Sequence, residues 1–323
     1  MHFIMEDLWN GVKVIVTGGA GFIGSHLVER LVSLNAKVSV LIRNGSDTWR
    51  LNDVKDKVSV YEVDFLNSTD LKKTVDRINP EIVFHAMADI RVKRDPELLN
   101  HMIGNNFQTT INLIRVLDKE KIKLFVNFGT CEEYGDGKVP FEETYKEIPV
   151  SPYSLSKTLG TYLSSYLAKI EGFPIITVRP FLTYGPKQIN NQLIPFIIRS
   201  LIKKEKINLG KMEQTRDFIH VNDVVSALIK IPFSNIEKGE IINICSGKEA
   251  QIKSVVSKVC ELTNTSFEEY IETTAPYRPG ETMHFYGSNQ KAKKLLNWEP
   301  KIDFEKGLKE TVEWYREYLE KIK

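Results

Sequence analysis

Residues 12–31 read VKVIVTGGAGFIGSHLVERL, an apolar run that leads through a glycine-rich stretch into a segment of helical character. This order predicts a β-strand, a tight turn and an α-helix. The glycines at 18, 21 and 24 permit a tight turn, and they let the backbone approach a pyrophosphate at the positive N-terminal end of the helix. The stretch therefore predicts a bound dinucleotide. The candidate cofactor-binding residues within it are Gly18, Gly21, Phe22, Ile23 and Gly24.

Two further segments carry side chains that suit hydride transfer. Tyr153 and Lys157 are four residues apart, so a helix would place the phenol and the ammonium on one face. Thr130 follows the apolar run 124–128, which predicts a hydroxyl at the carboxyl end of a strand, where ligands of parallel sheets bind. A helix-capping hydroxyl and an amphipathic helix are the structural alternatives. We interpret the three residues as a catalytic set beside a nicotinamide.

Composition excludes several classes of function. The 44 basic and 42 acidic side chains leave a formal charge of +2, which gives no footprint for nucleic acid. The three cysteines lack metal-ligand spacing, so no structural metal is expected. No apolar run approaches the roughly 18 residues of a membrane span, and acidic Glu6 and Asp7 disfavour a signal peptide. These features predict a cytoplasmic protein that does not bind membranes.

A series of sequence motifs extends over most of the chain. They comprise the glycine turn, Asp64, residues 85–88, Asn106, Thr130, Tyr153 with Lys157, Arg179-Pro180, residues 216–221 and residues 278–281. On these residues the chain resembles the extended short-chain dehydrogenase/reductase family of nucleotide-sugar epimerases, dehydratases and ketoreductases. The resemblance implies that Lys157 also holds the nicotinamide ribose and that Asp64 contacts the adenine. The other cofactor contacts that it implies are Asn44, Phe65, Ala86, Met87, Ala88, Asn106, Tyr153 and Pro180.

The fold predicted is an α/β doubly wound parallel sheet of the Rossmann type with a smaller C-terminal lobe. Short β-rich runs alternate with helical stretches up to Pro180, and helices with only short strands follow. We therefore assign residues 1–180 to a dinucleotide-binding domain and residues 181–323 to a nucleotide-sugar-binding lobe. By resemblance, residues of about 216–231 pack back on the first domain. The β-rich runs are 37–42, 58–63, 82–86, 124–128 and 175–178.

The end of the second predicted strand bears on the cofactor. An acidic residue there would accept ribose hydroxyls and repel a 2′-phosphate, whereas this chain has Arg43 and Asn44, with Arg50 nearby. A guanidinium suits a phosphate monoester, although a solvated loop arginine is the alternative. The pattern favours NADP(H), and NAD(H) stays possible.

Residues after Thr130 separate the reactions of the family. By resemblance, sugar 4,6-dehydratases follow this hydroxyl with Asp-Glu, the pair that eliminates water, and this chain has Cys131-Glu132. A thiol with a pKa near about 8.5 is a poor substitute for a carboxylic acid. A dehydratase is therefore disfavoured. Glu132 remains a candidate catalytic residue, with shaping of the sugar pocket or a structural hydrogen bond as alternatives.

The second half of the chain indicates the substrate. By resemblance, Arg216 and Arg278 contact the diphosphate of a nucleotide sugar, and guanidinium groups suit phosphate oxygens. The segment that begins with Gln192 and Leu193 is most similar to CDP- and dTDP-sugar 4-ketoreductases. We therefore predict NADP(H)-dependent reduction of the C4 ketone of a nucleotide-activated 4-keto-6-deoxyhexose. The main alternative is an NAD-dependent UDP-hexose 4-epimerase, and weaker ones are a sugar 4,6-dehydratase and a non-catalytic dinucleotide-binding protein.

Family resemblance also predicts a homodimer. Helices over residues 106–117 and 153–170 correspond to those that pair across a two-fold axis in many members. Their apolar faces would equally suit packing on their own sheet, so the oligomeric state rests on resemblance alone.

Overall fold

A central parallel sheet organises the molecule. The computed structural model describes residues 2–189, 192–277 and 281–322, and within them seven strands form one sheet in the order β3-β2-β1-β4-β5-β6-β11. The chain builds outward from β1 in both directions, so the strand order reverses between β1 and β4, which is where doubly wound sheets bind ligands. The strands are β1 Lys13–Thr17, β2 Lys37–Ile42, β3 Ser59–Glu62, β4 Ile82–His85, β5 Leu124–Phe128, β6 Ile175–Pro180, β7 Leu182–Tyr184, β8 Ile207–Asn208, β9 Thr215–Arg216, β10 Phe218–His220, β11 Ile241–Ile244, β12 Ala250–Gln251 and β13 Ile271–Glu272.

Helices cover both faces of the sheet. The α-helices are α1 His2–Trp9, α2 Phe22–Ser33, α3 Ser68–Ile78, α4 Leu99–Met102, α5 Thr109–Val116, α6 Pro152–Glu171, α7 Leu193–Ile202, α8 Val221–Leu228, α9 Ile252–Thr263, α10 Phe267–Tyr270, α11 Gln290–Leu296 and α12 Phe304–Lys321. Short 3₁₀ segments occur at Trp49–Lys57, Pro96–Leu98, Cys131–Tyr134 and Ile231–Phe233, and a π-helical segment at Ile103–Gln108. Helices α2, α8 and α11 pack on one face, and α3, α5 and α6 on the other.

Alternation along the strands explains the two cores. In β1, Val14 and Val16 belong to the core beneath α2 and α8, whereas Ile15 belongs to the core beneath α3 and α5. Successive strand side chains point to opposite faces, so a strand covered on both faces must be apolar throughout. This is why the inner strands of the main sheet are mainly apolar and buried, whereas the edge strand β3 is largely exposed.

The region after Pro180 contains a third core. Helices α7, α9 and α12 pack their apolar faces together with Tyr184 of β7 and Phe218 of β10. Short pairs of strands border this core: β7 with β10 and β8 with β13 are parallel, and β9 with β12 is antiparallel. The predicted fold class is confirmed. The division at residue 180 stays a prediction, and the seventh strand of the main sheet, β11, comes from residues 241–244.

Candidate active site

The glycine turn joins β1 to α2 and packs against the end of β4. Gly18 has a φ of +69°, which favours glycine, and a Cβ there would lie 2.8 Å from Met87 Cα. A Cβ on Gly24 would lie 2.2 Å from the carbonyl oxygen of Gly18. The turn therefore has no room for side chains at these two positions, and its backbone faces the N-terminus of α2.

A cleft of about 200 Å³ lies over the carboxyl ends of β1, β2 and β4. Several residues predicted to bind the cofactor are brought together here. The lining residues are Gly18, Ala20, Gly21, Leu41, Ile42, Arg43, Ser46, Asp47, Ala86, Met87 and Ala88. A larger cavity, of about 350 Å³ between α2 and α8, contains none of the predicted site residues. Glycine backbone, small side chains and a helix N-terminus in one cleft fit a dinucleotide.

The two arginines after β2 differ in their surroundings. Arg43 is exposed at the rim of the cleft, where its Nη1 donates to Asn105 Oδ1 at 3.5 Å. Arg50 instead donates to the carbonyl oxygens of Lys187 (2.9 Å) and Ala20 (3.3 Å). Arg50 therefore ties the 3₁₀ segment after β2 to the glycine turn, and Arg43 is the guanidinium that faces the cleft.

Other predicted cofactor residues surround the cleft without lining it. Asn44 and Asp64 are exposed, and Asp64 Oδ1 accepts from the Leu66 amide at 2.9 Å. Phe65 is buried in the core beneath α3, and Pro180 ends β6 in the interior. Phe22 and Ile23 are half-buried in the first turn of α2.

Asn106 connects the loop after β4 to the helix that carries Tyr153. Its amide oxygen accepts from the Asp89 amide at 2.7 Å, and its Nδ2 donates to the Asp89 carbonyl and to Ser156 Oγ, both at 3.0 Å. Its side chain is therefore fully engaged inside the protein.

Thr130, Tyr153 and Lys157 converge beside this loop, and all three are buried. Tyr153 and Lys157 lie one turn apart on α6, whose N-terminus Ser151 caps with its side chain at Ser154 N, 3.0 Å away. The Thr130 side chain lies close enough to the Tyr153 hydroxyl to act on its pKa. Thr130 Oγ1 also accepts from the Glu132 amide at 3.3 Å, so it caps the next 3₁₀ turn as well. The predicted set is thus assembled in space.

Burial governs the protonation of this set. It raises the pKa of Tyr153 above the ordinary value of a phenol, while the contact with Thr130 acts in the opposite direction. It also lowers the pKa of Lys157 to about 8, against the influence of Glu133. Both groups are therefore protonated at neutral pH, the form in which Tyr153 can donate a proton and Lys157 carries a positive charge.

The 3₁₀ turn Cys131–Tyr134 contains the residues that distinguish the family's reactions. Cys131 is 4% exposed, and burial raises the pKa of its thiol well above the usual value. Glu132 is half-buried. Of the two positions at which dehydratases carry Asp-Glu by resemblance, only the second holds a carboxyl group here.

The predicted substrate residues lie on the lobe side of the molecule. Arg216 Nη1 donates to the carbonyl oxygens of Thr215 (2.7 Å) and Thr282 (2.8 Å), and its Nη2 pairs with Glu281. Gln192 is exposed at the N-terminus of α7, and Leu193 packs partly against the third core. Arg278 lies outside the described residues.

Two buried polar groups beneath the site were given no role from the sequence. The His85 ring lies between the hydroxyls of Thr17 (2.8 Å) and Thr110 (2.9 Å). The Glu133 carboxylate pairs with the fully buried Arg179 at 2.8 Å. The apolar strand pattern around His85 and Arg179 was the available signal, because a polar residue in a strand buried on both faces requires a partner.

Among the described residues no cluster of three or more His, Cys, Asp or Glu side chains could hold a metal ion. Within the same residues, every helix falls short of the length and apolarity needed to span a bilayer.

Comparisons with known proteins find the family that the sequence motifs indicate. The family described as GDP-mannose 4,6 dehydratase matches residues 15–311. The chain is 30% identical to a UDP-N-acetyl-alpha-D-glucosaminuronate decarboxylase of Bacillus cytotoxicus, over 94% of this chain and 98% of the relative. It is 30% identical to a UDP-glucuronate 4-epimerase of Thermodesulfobacterium geofontis (96% and 98%). It is 29% identical to a dTDP-glucose 4,6-dehydratase of Salmonella typhimurium (94% and 92%).

The solved structures that resemble this chain include epimerases and dehydratases as well. An epimerase of Methanothermobacter thermautotrophicus superposes with a TM-score of 0.89 at 27% identity, over 100% of this chain and 97% of that one. A UDP-glucose 4-epimerase of Thermotoga maritima, solved with UDP-glucose, gives 0.86 at 28% (95% and 99%). A dTDP-glucose 4,6-dehydratase of Bacillus anthracis, solved with NAD, gives 0.86 at 26% (96% and 98%). These six proteins are epimerases, dehydratases and a decarboxylase, so they support the predicted epimerase better than the predicted ketoreductase.

Proposed function

Because this chain belongs to the extended short-chain dehydrogenase/reductase family of NAD(P)-dependent, nucleotide-sugar-modifying enzymes, we propose that it is a 4-epimerase of a nucleoside-diphosphate hexose. NAD is the proposed cofactor, since it is bound in the Bacillus anthracis relative. This proposal replaces ketone reduction as the favoured reaction and keeps the same catalytic residues. The three buried, unpaired cysteines suit a reducing cytoplasm.

The observation that carries the proposal is the chemistry of the turn after Thr130. Elimination of water from a sugar requires an acid at the leaving hydroxyl as well as a base. Cys131 is a buried thiol with a raised pKa, and the Glu133 carboxylate is occupied by Arg179. The site therefore has the groups for oxidation and reduction at one carbon, but only Glu132 for elimination. This favours an epimerase over a dehydratase.

The residues divide the work of proton transfer. NAD, held by the residues that line the cleft, would supply the hydride acceptor for oxidation at C4 and, once reduced, the hydride donor for the return step. The positive charge of an oxidised nicotinamide would favour the tyrosinate form of Tyr153, and this tyrosinate takes the proton of the 4-hydroxyl in the first half of the cycle and gives it back in the second. Lys157, with a pKa of about 8, keeps its charge at neutral pH and so favours the tyrosinate form. Thr130 hydrogen-bonds the same sugar oxygen. General acid–base catalysis of this kind contributes about 10²–10⁴-fold.

The lobe side of the site would hold the nucleotide. We assign Arg216 to the diphosphate, since a guanidinium offers paired donors to phosphate oxygens. Its present partners, two carbonyl oxygens and Glu281, already hold the guanidinium in place. Arg278, Gln192 and Leu193 remain proposed substrate contacts.

The proposed enzyme is a homodimer through α6. Tyr162, Tyr166 and Ile170 are spaced at four-residue intervals and are 49%, 55% and 62% exposed, so they form one apolar stripe on this helix. A stripe of this kind, rimmed by polar residues, is typical of an interface. Light scattering should give the mass of a dimer for the wild type and of a monomer for Tyr166→Asp, and a monomeric wild type would contradict the assignment.

The reaction can be tested with the protein as purified. Mass spectrometry of the nucleotides released on denaturation identifies the cofactor. The native protein is then incubated in deuterated water with UDP-glucose, UDP-galactose and other nucleotide hexoses, without added cofactor. We expect interconversion of C4 epimers with no deuterium in the sugar, and no conversion by Tyr153→Phe.

The competing reactions have distinct signatures in this assay. Deuterium at C5 indicates elimination across C5 and C6, and release of carbon dioxide from a uronic acid indicates a decarboxylase. A dependence on added NADPH, together with a 4-keto substrate, indicates the ketoreductase. Any of these results would refute the epimerase.

A further inference from the structure

Glu133 is a fully buried carboxylate three residues after Thr130. Its Oε1 accepts from the Thr130 backbone amide at 2.8 Å. Its Oε2 accepts from Thr161 Oγ1 at 2.8 Å and from Arg179 Nε at 3.0 Å. One side chain thus contacts the turn after β5, helix α6 and strand β6.

These contacts link Glu133 to the elements that carry Thr130, Tyr153 and Lys157. Thr161 lies one helical turn after Lys157 on α6, the helix that also carries Tyr153. Glu133 is therefore the shared partner of the Thr130 backbone and of the catalytic helix. A Cβ on Gly129 would lie 2.4 Å from Glu133 Oε1, so the glycine that precedes Thr130 leaves the room that the carboxylate occupies. Rigid support of this kind matters because misplacement of a catalytic group by about 1 Å can cost on the order of 10²-fold in rate.

We propose that Glu133 is a positioning residue, which holds Thr130 in register with Tyr153 and Lys157 and holds a negative charge beneath them. Arg179 holds this carboxylate in place through an ion pair and a hydrogen bond, so the two residues form one unit. The inference rests on the proposed oxidation and reduction at C4, but it applies to any reaction that uses the same three residues.

The net charge of the cluster formed by Glu133, Arg179 and Glu147 gives the proposal an electrostatic effect that can be measured. Arg179 pairs with both Glu133 and Glu147, so two carboxylates share one guanidinium and one formal negative charge remains. Arg179 also stacks over Tyr134, 4.6 Å from the ring centroid.

Glu133 acts on the pKa values of the catalytic residues. It raises the pKa of Tyr153 and of Lys157, and Glu132 and Cys131 are the other groups that raise that of Tyr153. A neutral residue at 133 should therefore lower the pKa of both catalytic side chains.

The test compares Glu133→Gln with Glu147→Gln. Each substitution removes one carboxylate from Arg179, but Glu147 contacts Arg179 and Tyr162 and has no hydrogen bond to Thr130 or Thr161. For Glu133→Gln we expect kcat to fall by about 10²-fold with KM within about threefold, and the rise of kcat with pH to move to lower pH. Glu147→Gln should stay within about threefold of wild type in kcat, with an unshifted profile.

Thr161→Val provides a second variant in case Glu133→Gln does not fold. It removes the hydrogen bond between Glu133 and α6 and keeps the charge, so kcat should fall while the pH profile stays in place. Equal effects of Glu133→Gln and Glu147→Gln, or an unshifted profile in Glu133→Gln, would overturn the proposal. So would unchanged kcat in Thr161→Val.

The same experiment separates this proposal from the proposed function. The comparison is made on whichever nucleotide sugar the wild type converts, whatever the product. A wild type that decarboxylates or dehydrates its substrate refutes the epimerase, and the ratio between the two glutamine variants still decides the role of Glu133.

Discussion

The protonation of His85 should make the stability of this protein fall in mild acid. Its ring is fully buried at the end of β4, between the hydroxyls of Thr17 and Thr110. The Thr110 hydroxyl donates to the Asn106 carbonyl at 2.6 Å, so it must accept from Nε2–H of His85. Nδ1 then accepts from Thr17. The neutral tautomer satisfies every partner, and a second ring proton has no acceptor of its own.

Burial, with a smaller contribution from Lys157, lowers the pKa of His85 to about 3. An unfolded histidine titrates near about 6.5. Since the folded pKa lies below the unfolded one, the stabilisation is complete above about pH 6.5 and is lost as the pH falls toward 3. Each unit corresponds to about 1.4 kcal/mol, so the free energy of unfolding should drop by about 2 kcal/mol between pH 8 and pH 5 through this residue alone.

Urea unfolding of wild type and His85→Gln at pH 8, 7, 6 and 5 measures this contribution. The variant is expected to be less stable at pH 8, and the informative quantity is the slope. Wild type should lose about 2 kcal/mol more than the variant over this interval, while other groups, such as His220 with its pKa lowered to about 4, act in both proteins and cancel. Parallel curves, or an NMR titration of His85 near neutral pH, would refute the reasoning.

Three further predictions concern the site. Gly24→Ala places a Cβ 2.2 Å from the Gly18 carbonyl oxygen, which is overpacking of about 1–3 kcal/mol. Fluorescence titration should therefore show NAD binding at least about fivefold weaker than in the wild type. Gly104→Ala is the control and should leave NAD binding unchanged, because a Cβ there meets nothing within 4 Å. Tyr153→Phe should bind NAD as wild type does and lose about 10²–10⁴-fold in kcat; retained turnover would remove Tyr153 from the mechanism. Arg43→Ala should weaken NADP binding by roughly 10- to 150-fold, from a charge-assisted contact of about 1.5–3 kcal/mol, and leave the NAD dissociation constant within about twofold. Equal losses for the two cofactors would show that Arg43 does not contact the 2′-phosphate.

The main sheet could be predicted because most of its strands are local, mainly apolar runs. The predicted runs 37–42 and 124–128 coincide with β2 and β5, and the others differ from the observed strands by one or two residues at an end. The place of β11 could not be predicted in this way. Its partner, β6, lies more than 60 positions earlier in the chain, and no local pattern specifies which strands pair across such a distance.

The candidate active site shows the same distinction between local features, which the sequence predicts, and contacts between residues that are distant in the chain. The spacing of Tyr153 and Lys157 is a property of one helix, so the sequence suffices to place them on one face. The contact of Glu133 with Arg179 joins residues 46 positions apart, and it depends on the fold. Arg50 shows the same dependence on the fold, because its hydrogen bonds to the carbonyl oxygens of Lys187 and Ala20 join it to residues distant in the sequence.

Arg43 and the proposed reaction are compatible, because affinity for a cofactor and consumption of a cofactor are separate properties. A reductase must take up a reduced cofactor at every turnover, so a guanidinium that favours NADP contributes to its rate. An epimerase returns its cofactor to the starting state within each cycle, and the choice between NAD and NADP then affects only initial binding. Arg43 lies at the rim of the cleft, tethered to Asn105 and exposed to solvent, away from Thr130 and Tyr153. An Arg43→Ala protein loaded with NAD should therefore interconvert C4 epimers at the wild-type rate, whereas a reductase with the same substitution would lose rate with NADPH.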